Sequence, residues 1–258
     1  MADRLSQALP GDHASGQFIG RAQGPRGPCV IAVREGRIFD LTGVVATSAG
    51  AMARRVFEGG EQIGTVETGL PEGWALLSPI DLQCVKAAGV TFALSAIERV
   101  IEERARGDAA AAVSIRAALE DKVGAGIRAV VPGTPEAAEL KAALIAEGMW
   151  SQYLEVAIGP DAEIFSKSPV LSTVGHGAPI GVRSDSNWNN PEPEVVLVCD
   201  PDGEIVGATL GNDVNLRDFE GRSALLLSKA KDNTASCAIG PFIRLFDESF
   251  TLDDVREA

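Results

Sequence analysis

Two apolar β-type runs joined by a tight-turn signal constrain the fold of this chain more than any other segment. The runs are "EVVLVC" and "EIVGATLG", and "DPDG" at 200–203 lies between them. Asp, Pro and Gly at the first, second and fourth positions are typical of a type I turn. This segment is therefore predicted to form a β-hairpin.

Acidic side chains lie at one end of this hairpin. Period-two alternation places Glu192 and Glu194 on one face of the incoming strand. Asp213 shares that face if the loop is a two-residue one, whereas a three-residue loop with a bulge requires a twist at the strand end. Three carboxylates without a histidine suit Mg²⁺, with Mn²⁺ or Ca²⁺ as alternatives. The competing interpretation is that they are surface acids of an acidic protein. Pro193 lacks an N–H, which favours an edge strand.

The composition limits the partners and the compartment. Lys and Arg number 23 against 36 Asp and Glu, so the net charge of the 258 residues is −13. Such a surface repels nucleic acid and anionic membranes, and neither is an expected partner. Four cysteines without a C-x-x-C pair, together with only two histidines, favour a reducing compartment and argue against zinc. No apolar run approaches the roughly 20 residues of a membrane span, and the first residues lack a signal-peptide core. A soluble, cytoplasmic protein is predicted.

Changes in periodicity divide the chain into three segments. Residues 1–76 are predicted to be a small α+β unit, with two short strands meeting at Glu35 and Gly36 and a helix over 51–57. Residues 77–160 are predicted to be mainly helical, and residues 161–258 mainly β.

The helical signals are clearest in the middle segment. Helices are predicted over 109–119 and 135–147; Thr134 can cap the second, Pro135 suits its first turn and Gly148 its end. From there on the pattern changes, and "YLEVAIG" and "APIGVRS" are predicted to be strands.

Four motifs occur in one order over about 162–242: "AEIFSKSP", "EPEVVLV", "NDVNLRD" and "KAKDNTASCAIGP". This series resembles the fumarylacetoacetate hydrolase family. The resemblance implies an α+β fold, in which a mixed β-sheet roll follows a small N-terminal α+β unit and a helical connecting segment. It also implies a homodimer.

The resemblance assigns roles to five residues of these motifs. The family binds a divalent cation through two glutamates and an aspartate, which correspond to Glu192, Glu194 and Asp213. Its substrate lysines correspond to Lys167 and Lys231. We expect Mg²⁺ as the cofactor.

A further family motif, G-K-N-Y-x-x-H-x-x-E, aligns with "GVTFALSAIE" in the middle segment. Glu98 is in register with its glutamate, but Ser95 stands where the family has histidine. That histidine belongs to a dyad that activates water for C–C bond hydrolysis, so its absence disfavours a hydrolase.

Three stretches, "GVTFALSAIERVIEERARGD", "SQYLEVAIGPDAEIF" and "DSNWNNPEPEVVLVCD", are similar to one branch of the family. That branch consists of 2-keto-3-deoxy-D-xylonate dehydratases. The resemblance implies Mg²⁺-dependent loss of water from this or a related 2-keto-3-deoxypentonate, through an enolate that the cation stabilises, to give 2-oxoglutarate semialdehyde. Whether the substrate is the xylonate or the arabinonate derivative stays open.

Roles in such a reaction follow as hypotheses. We expect Glu98 and Lys231 to be catalytic, with Glu98 transferring protons and Lys231 countering negative charge. The residues expected to bind the small 2-keto acid are Ser95, Lys167, Trp188, Asn189 and Arg217.

Two other functions compete with this one. A hydrolase or decarboxylase of acylpyruvate-type 2-keto acids is favoured by the wider family, and a non-catalytic cation-binding protein by the acids alone. The chain also departs from the family pattern: its hairpin is shorter, and Glu220 replaces a frequent glutamine. Family members continue beyond the position of Ala258, so residues 161–258 are expected to be the first part of the catalytic domain.

Overall fold

The computed structural model describes residues 5–89, 100–101, 103–116, 130–146, 148 and 150–257. The strands are β1 (Phe18–Gly24), β2 (Gly27–Arg34), β3 (Arg37–Asp40), β4 (Glu61–Thr65), β5 (Ala75–Leu77), β6 (Val85–Ala88), β7 (Ile164–Ser168), β8 (Asn189–Asn190), β9 (Pro193–Cys199), β10 (Ile205–Asp213), β11 (Asn215–Leu216), β12 (Cys237–Ile239) and β13 (Ile243–Leu245). The helices are α1 (Leu5–Ala8), α2 (Ser48–Arg54), α3 (Pro135–Ala146), α4 (Gln152–Ile158), α5 (Arg217–Glu220), α6 (Leu227–Lys231) and α7 (Leu252–Glu257). Residues 100–101, 103–105 and 109–116 are also helical.

A nine-stranded antiparallel sheet joins the first and last segments of the chain. Its order is β12-β10-β13-β1-β2-β3-β4, with β5 also paired to β1 and β9 to β10. The link between the two segments is the pairing of β1 with β13, in which Phe18 lies opposite Arg244. The α+β fold class is therefore confirmed, and strands of residues 1–76 share a sheet with strands of residues 161–258.

The centre of this sheet is covered on both faces, which explains the continuous apolar run of β2. Val30 and Ala32 face one core cluster, and Ile31 and Val33 face another. A strand buried on both sides needs apolar residues at every position rather than at alternate ones. Burial of all four side chains stabilises the sheet by roughly 1.5–3 kcal/mol for each of the larger ones.

The predicted N-terminal hairpin is confirmed. Strands β2 and β3 pair antiparallel, with Arg34 opposite Arg37. Glu35 and Gly36 have φ values of 50° and 70°. Two consecutive positive φ angles are the conformation of a type I′ turn, whose twist matches that of the strands.

The helix predicted over 51–57 is present but begins and ends earlier, at Ser48 and Arg54. Thr47 caps it, because its hydroxyl oxygen accepts from Gly50 N. Arg55 then adopts the left-handed conformation with φ 50°, which ends the helix before the predicted boundary.

The helical middle segment forms a core of its own. Prediction of α3 is confirmed, with Thr134 Oγ1 accepting from Ala137 N at 3.3 Å and Gly148 at φ 67° just beyond its end. Its Leu144 packs in a cluster with Ile101 and neighbouring apolar side chains of residues 100–158. The helix predicted over 109–119 is confirmed as far as residue 116.

Two strand predictions are wrong. "YLEVAIG" lies in helix α4, because Leu154, Ala157 and Ile158 have helical spacing and face the helical core cluster. "APIGVRS" at 178–184 is irregular chain. Gly181 N donates to Ala235 O there, and a Cβ at Gly181 would lie 1.8 Å from Thr234 O. Residues 178–184 thus contact the loop at Thr234 and Ala235 and do not pair with a strand.

Among the described residues, no helix has the length and apolar content that crossing a membrane requires.

Asp81 fastens the start of α2 to the sheet. Its carboxylate accepts from Ser48 N at 2.8 Å, from Ala49 N at 3.1 Å and from Leu82 N at 2.7 Å. Arg21 Nε lies 3.4 Å from the same carboxylate. Burial acts to raise the pKa of Asp81, but the backbone hydrogen bonds from Ala49, Leu82 and Ser48 together lower it.

Replacing this carboxylate tests the fold. We expect Asp81→Asn to lower the free energy of unfolding by about 1–3 kcal/mol at neutral pH. The pKa of Asp81 is lower in the folded protein than the unfolded value of about 3.9, so its stabilisation is present above about pH 4 and is lost as pH falls through the folded pKa. Urea unfolding at pH 7 and pH 3 should therefore show a gap that narrows in acid. The exposed Asp161→Asn is the control; an equal gap at both pH values would contradict the assignment.

Candidate active site

The hairpin that carries the acids is formed by β9 and β10. Asp200 Oδ1 accepts from Asp202 N and Glu204 N, both at 3.0 Å, which fixes the turn. The two strands pair from Ile205 opposite Cys199, with a register shift before Gly207. The predicted hairpin is confirmed. Of the two registers left open by the sequence, the structure has the one with a bulge.

The register brings the acids together. Gly211 lies opposite Glu194, and Asp213 N donates to Glu192 O at 2.9 Å. Asp213 therefore lies on the same face as both glutamates. Within the described residues β9 pairs only with β10, as expected for an edge strand beginning at Pro193.

Lys231 lies at the centre of this group. Its Nζ donates to Glu192 Oε2 and, at 3.1 Å, to Asp213 Oδ2. Its side chain is only 1% exposed. Burial acts to lower the pKa of Lys231, but attraction to Glu192, Asp213 and Glu220 outweighs this and raises it. The lysine is thus held as an ammonium ion.

Lys167 forms a buried ion pair with Asp213. Its side chain is 1% exposed, and Nζ lies 2.8 Å from Asp213 Oδ1. The same ammonium donates to Val214 O at 2.9 Å, and also to Lys231 O. The buried ammonium group of Lys167 therefore links residues 213–214 to Lys231, the last residue of α6.

The second oxygen of Glu192 faces a different set of donors. Asn215 Nδ2 lies 2.9 Å from Glu192 Oε1, and Arg217 Nη2 lies 4.0 Å from it. Arg217 Nε donates to Asn190 Oδ1 at 2.7 Å. Both oxygens of Glu192 are therefore oriented by the protein.

Glu194 is the third acid of the group, and the charges of the other two act on it. Its pKa is raised, first by burial and then by repulsion from Asp213 and Glu192, with Lys231 opposing the change. A carboxyl whose negative charge is disfavoured in this way would be stabilised as a carboxylate by an additional cation.

The chemistry of the three carboxylates suits a hard divalent cation. Asp213 Oδ1 is buried and accepts no hydrogen bond from the described residues, because Lys167 approaches it in a direction that does not make one. With the side chains so arranged, no group of three or more His, Cys, Asp and Glu side chains in the described part of the chain could hold a metal ion. In this arrangement the ammonium groups of the two lysines contact Glu192 and Asp213. A divalent cation would compete with Lys231 for these oxygens.

Comparison with known proteins identifies the fold. No family model matches the chain. It is 44% identical over 102 residues to the 2-dehydro-3-deoxy-D-arabinonate dehydratase of Saccharolobus solfataricus, a match that covers 37% of this chain and 34% of that protein. It is 44% identical over 95 residues to a probable 2-keto-3-deoxyxylonate dehydratase of Haloferax volcanii, covering 37% of this chain and 32% of that protein. The match thus spans about a third of the length of these relatives.

Solved structures extend the likeness to most of the chain. A 2-keto-3-deoxy-D-arabinonate dehydratase complexed with magnesium and 2,5-dioxopentanoate superposes with a TM-score of 0.59 and 23% identity, over 90% of this chain and 67% of that one. A fumarylacetoacetate hydrolase from Exiguobacterium antarcticum superposes with a TM-score of 0.50 and 15% identity, over 90% of this chain and 69% of that one. The chain therefore shares the fold of this dehydratase and of this fumarylacetoacetate hydrolase, which is the fold that the four motifs predicted.

The loop before β9 carries two further residues that were predicted to bind substrate, Trp188 and Asn189. Asp218 holds this loop, because its carboxylate accepts from Ser186 Oγ and Asn187 N, both at 2.9 Å. Trp188 packs against the helical core cluster, and Asn189 is exposed in the short pairing of β8 with β11. Trp188 and Asn189 are thus close to Glu192 and Glu194 in sequence. None of the described hydrogen bonds joins either residue to the three acids.

Two residues predicted from the family motif in the middle segment have no described position. Ser95 and Glu98 lie outside the described residues, so their roles stay predictions. Asn215, by contrast, contacts Glu192 directly and was missed. The signal that could have found it is its position in "NDVNLRD", between Asp213 and Arg217.

The support that Lys167 gives to Asp213 can be measured. We expect Lys167→Met to lower the free energy of unfolding by about 3–5 kcal/mol, because Asp213 loses one of its two ammonium partners and two backbone carbonyls lose their donor. Exposed Lys86 on the adjacent strand β6 provides the control, and Lys86→Met should change stability by no more than about 0.5 kcal/mol. Urea unfolding without added divalent cation makes the comparison. Similar losses in both variants would show that Lys167 is not a structural cation.

Proposed function

We propose that this chain is part of a Mg²⁺-dependent hydro-lyase that converts a 2-keto-3-deoxypentonate to 2-oxoglutarate semialdehyde. The substrate would be the D-xylonate derivative or its D-arabinonate counterpart. The observation that carries the proposal is the grouping of Glu192, Glu194 and Asp213 with two buried lysine ammonium groups on one face of the hairpin. Two dehydratases of 2-keto-3-deoxypentonates among the relatives, and one solved with magnesium and 2,5-dioxopentanoate, the semialdehyde itself, support it.

Glu192, Glu194 and Asp213 would hold the cation. Bound there, Mg²⁺ would act as a Lewis acid toward the C1 carboxylate and C2 carbonyl of a 2-keto acid. Lys167 keeps Asp213 in place, and Asn215 fixes the rotation of Glu192. The cation would thus meet oriented ligands.

Lys231 would stabilise negative charge on the substrate. Its raised pKa keeps it protonated at neutral pH, and its contacts to Glu192 and Asp213 place the ammonium among the proposed metal ligands. When a C3 proton leaves the substrate, charge develops on the C2 oxygen. A fixed ammonium beside that oxygen lowers the energy of the enolate.

The remaining steps need proton transfer but no attacking water. Removal of the C3 proton and departure of the C4 hydroxyl as water give a conjugated enone. Loss of a proton from C5 and return of one to C3 then give an enol at C4 and C5. Transfer of the enol hydroxyl proton to C4 gives the semialdehyde, so the net change is loss of one water. We propose that Glu98 carries these protons and that Ser95 holds a substrate hydroxyl.

Binding of the rest of the substrate would fall to the loop before β9 and to α5. We propose that Trp188 and Asn189 contact its hydroxyl groups and that Arg217 attracts its carboxylate. Arg217 is already oriented toward Glu192 by its hydrogen bond to Asn190. A homodimer is the oligomeric state that we propose from the family.

One assay distinguishes this reaction from its main alternative. With the full-length protein, 2-keto-3-deoxy-D-xylonate and Mg²⁺, we expect 2-oxoglutarate semialdehyde to form, and addition of EDTA to abolish it. Cleavage of an acylpyruvate in place of this product would instead establish the hydrolase or decarboxylase that the wider family suggests. Turnover of neither would favour the non-catalytic cation-binding protein.

The metal ligands are tested by one substitution. We expect Glu192→Gln to reduce Mg²⁺-dependent turnover by at least about 100-fold, because a neutral amide binds a hard cation more weakly and loses the Lys231 ion pair. Glu204→Gln, an exposed change in the same hairpin, should leave turnover unaltered. Full activity of Glu192→Gln would remove this residue from the site.

A further inference from the structure

A buried asparagine links the proposed metal ligand Glu192 to a second glutamate that has no assigned role. Asn215 in β11 is 0% exposed. Its Nδ2 lies 2.9 Å from Glu192 Oε1 and 2.5 Å from Glu220 Oε2. The two hydrogens of one amide group are thus shared between two carboxylates.

The orientation of the amide follows from these partners. A carboxylate only accepts hydrogen bonds, so the NH₂ group of Asn215 must face Glu192 and Glu220. Its Oδ1 is then directed away and accepts no hydrogen bond from the described residues. Leaving a buried acceptor without a donor is unfavourable, which shows that the contact with the two carboxylates determines the position of this side chain.

Glu220 is in turn fixed by the fold. It is 3% exposed and ends α5, the helix that begins at Arg217 directly after β11. Its charge also reaches the site, because it contributes to the raised pKa of Lys231. Glu220 can therefore act on Glu192 in two ways, by contact through Asn215 or by charge.

We propose that Asn215 is a positioning residue that holds Glu192 in the orientation needed to bind the cation, and that Glu220 anchors Asn215. This inference rests on the proposed metal site. Partners that orient a metal ligand typically contribute about 10–100-fold to metal affinity. Asn215 and Glu220 form such a second layer, in which a neutral donor group separates two carboxylates that would otherwise repel each other.

Mg²⁺ binding to the full chain, measured by isothermal titration calorimetry without substrate, tests the proposal. We expect Asn215→Leu, which removes both donors while keeping a similar volume, to weaken Mg²⁺ binding about 10–100-fold. Asn215→Thr, with a single hydroxyl donor, should lie between this variant and the wild type. Asn187→Leu, an exposed asparagine, is the matched control and should bind as the wild type does.

Substitutions at Glu220 separate contact from charge. Glu220→Met removes both the acceptor and the charge, whereas Glu220→Gln keeps an acceptor for Asn215. If positioning is responsible, Glu220→Met should weaken Mg²⁺ binding about as much as Asn215→Leu does, and Glu220→Gln should recover most of the loss. Weak binding by Glu220→Gln together with wild-type binding by Asn215→Leu would overturn the proposal in favour of a charge effect.

Two further results would also overturn it and are distinguishable. If the wild type binds no Mg²⁺, the metal site itself fails. If the wild type binds Mg²⁺ and both Asn215→Leu and Asn215→Thr bind it with the wild-type affinity, only the positioning role fails. Thermal unfolding of each metal-free variant identifies a purely structural role, which would lower the melting temperature without changing the Mg²⁺ affinity of the folded fraction.

Discussion

The ion pairs between two buried lysines and the acids at the hairpin end are the constraint on which this site depends. Carboxylates as close as those of Glu192, Glu194 and Asp213 repel one another, and burial makes that repulsion stronger. The ammonium groups of Lys231 and Lys167 offset it at Glu192 and Asp213. Glu194 lacks such a direct contact among the described ion pairs, and its raised pKa records the remaining repulsion. The two lysines thus offset part of the repulsion within this group.

This arrangement needs a rigid frame, which the nine-stranded sheet provides. Strand β10 carries Asp213 and pairs with β9, β12 and β13. Strand β13 pairs in turn with β1, so the N-terminal strands support the strand that carries the site. Side chains that must be held within fractions of an ångström are best placed on paired strands rather than on loops. Lys231 and Lys167 reach the same point from α6 and β7.

Local patterns were good predictors wherever one short segment determines its own structure. The turn at Asp200, the type I′ turn at Glu35 and the capped start of α3 each depend on neighbouring residues alone, and each prediction is confirmed. The strand prediction for "YLEVAIG" is wrong because its apolar residues fit both periods, and contact with the helical core selects the helix. Asn215 was missed because its importance depends on two glutamates that its own segment does not bring together.

The sequence by itself determined the hairpin, the common face of Glu192 and Glu194 and the family resemblance, because alternation along a strand and the order of motifs are properties of the chain. The face of Asp213 was decided by the register of the two strands. The tertiary structure alone decided which cations meet those acids. Both lysines lie far in the chain from the acids that they contact. Packing of α6 against β11 and β7 brings Lys231 to Glu192 and Asp213, and Lys167 to Asp213. Coulombic attraction acts over ångströms in space, and sequence separation does not measure that distance.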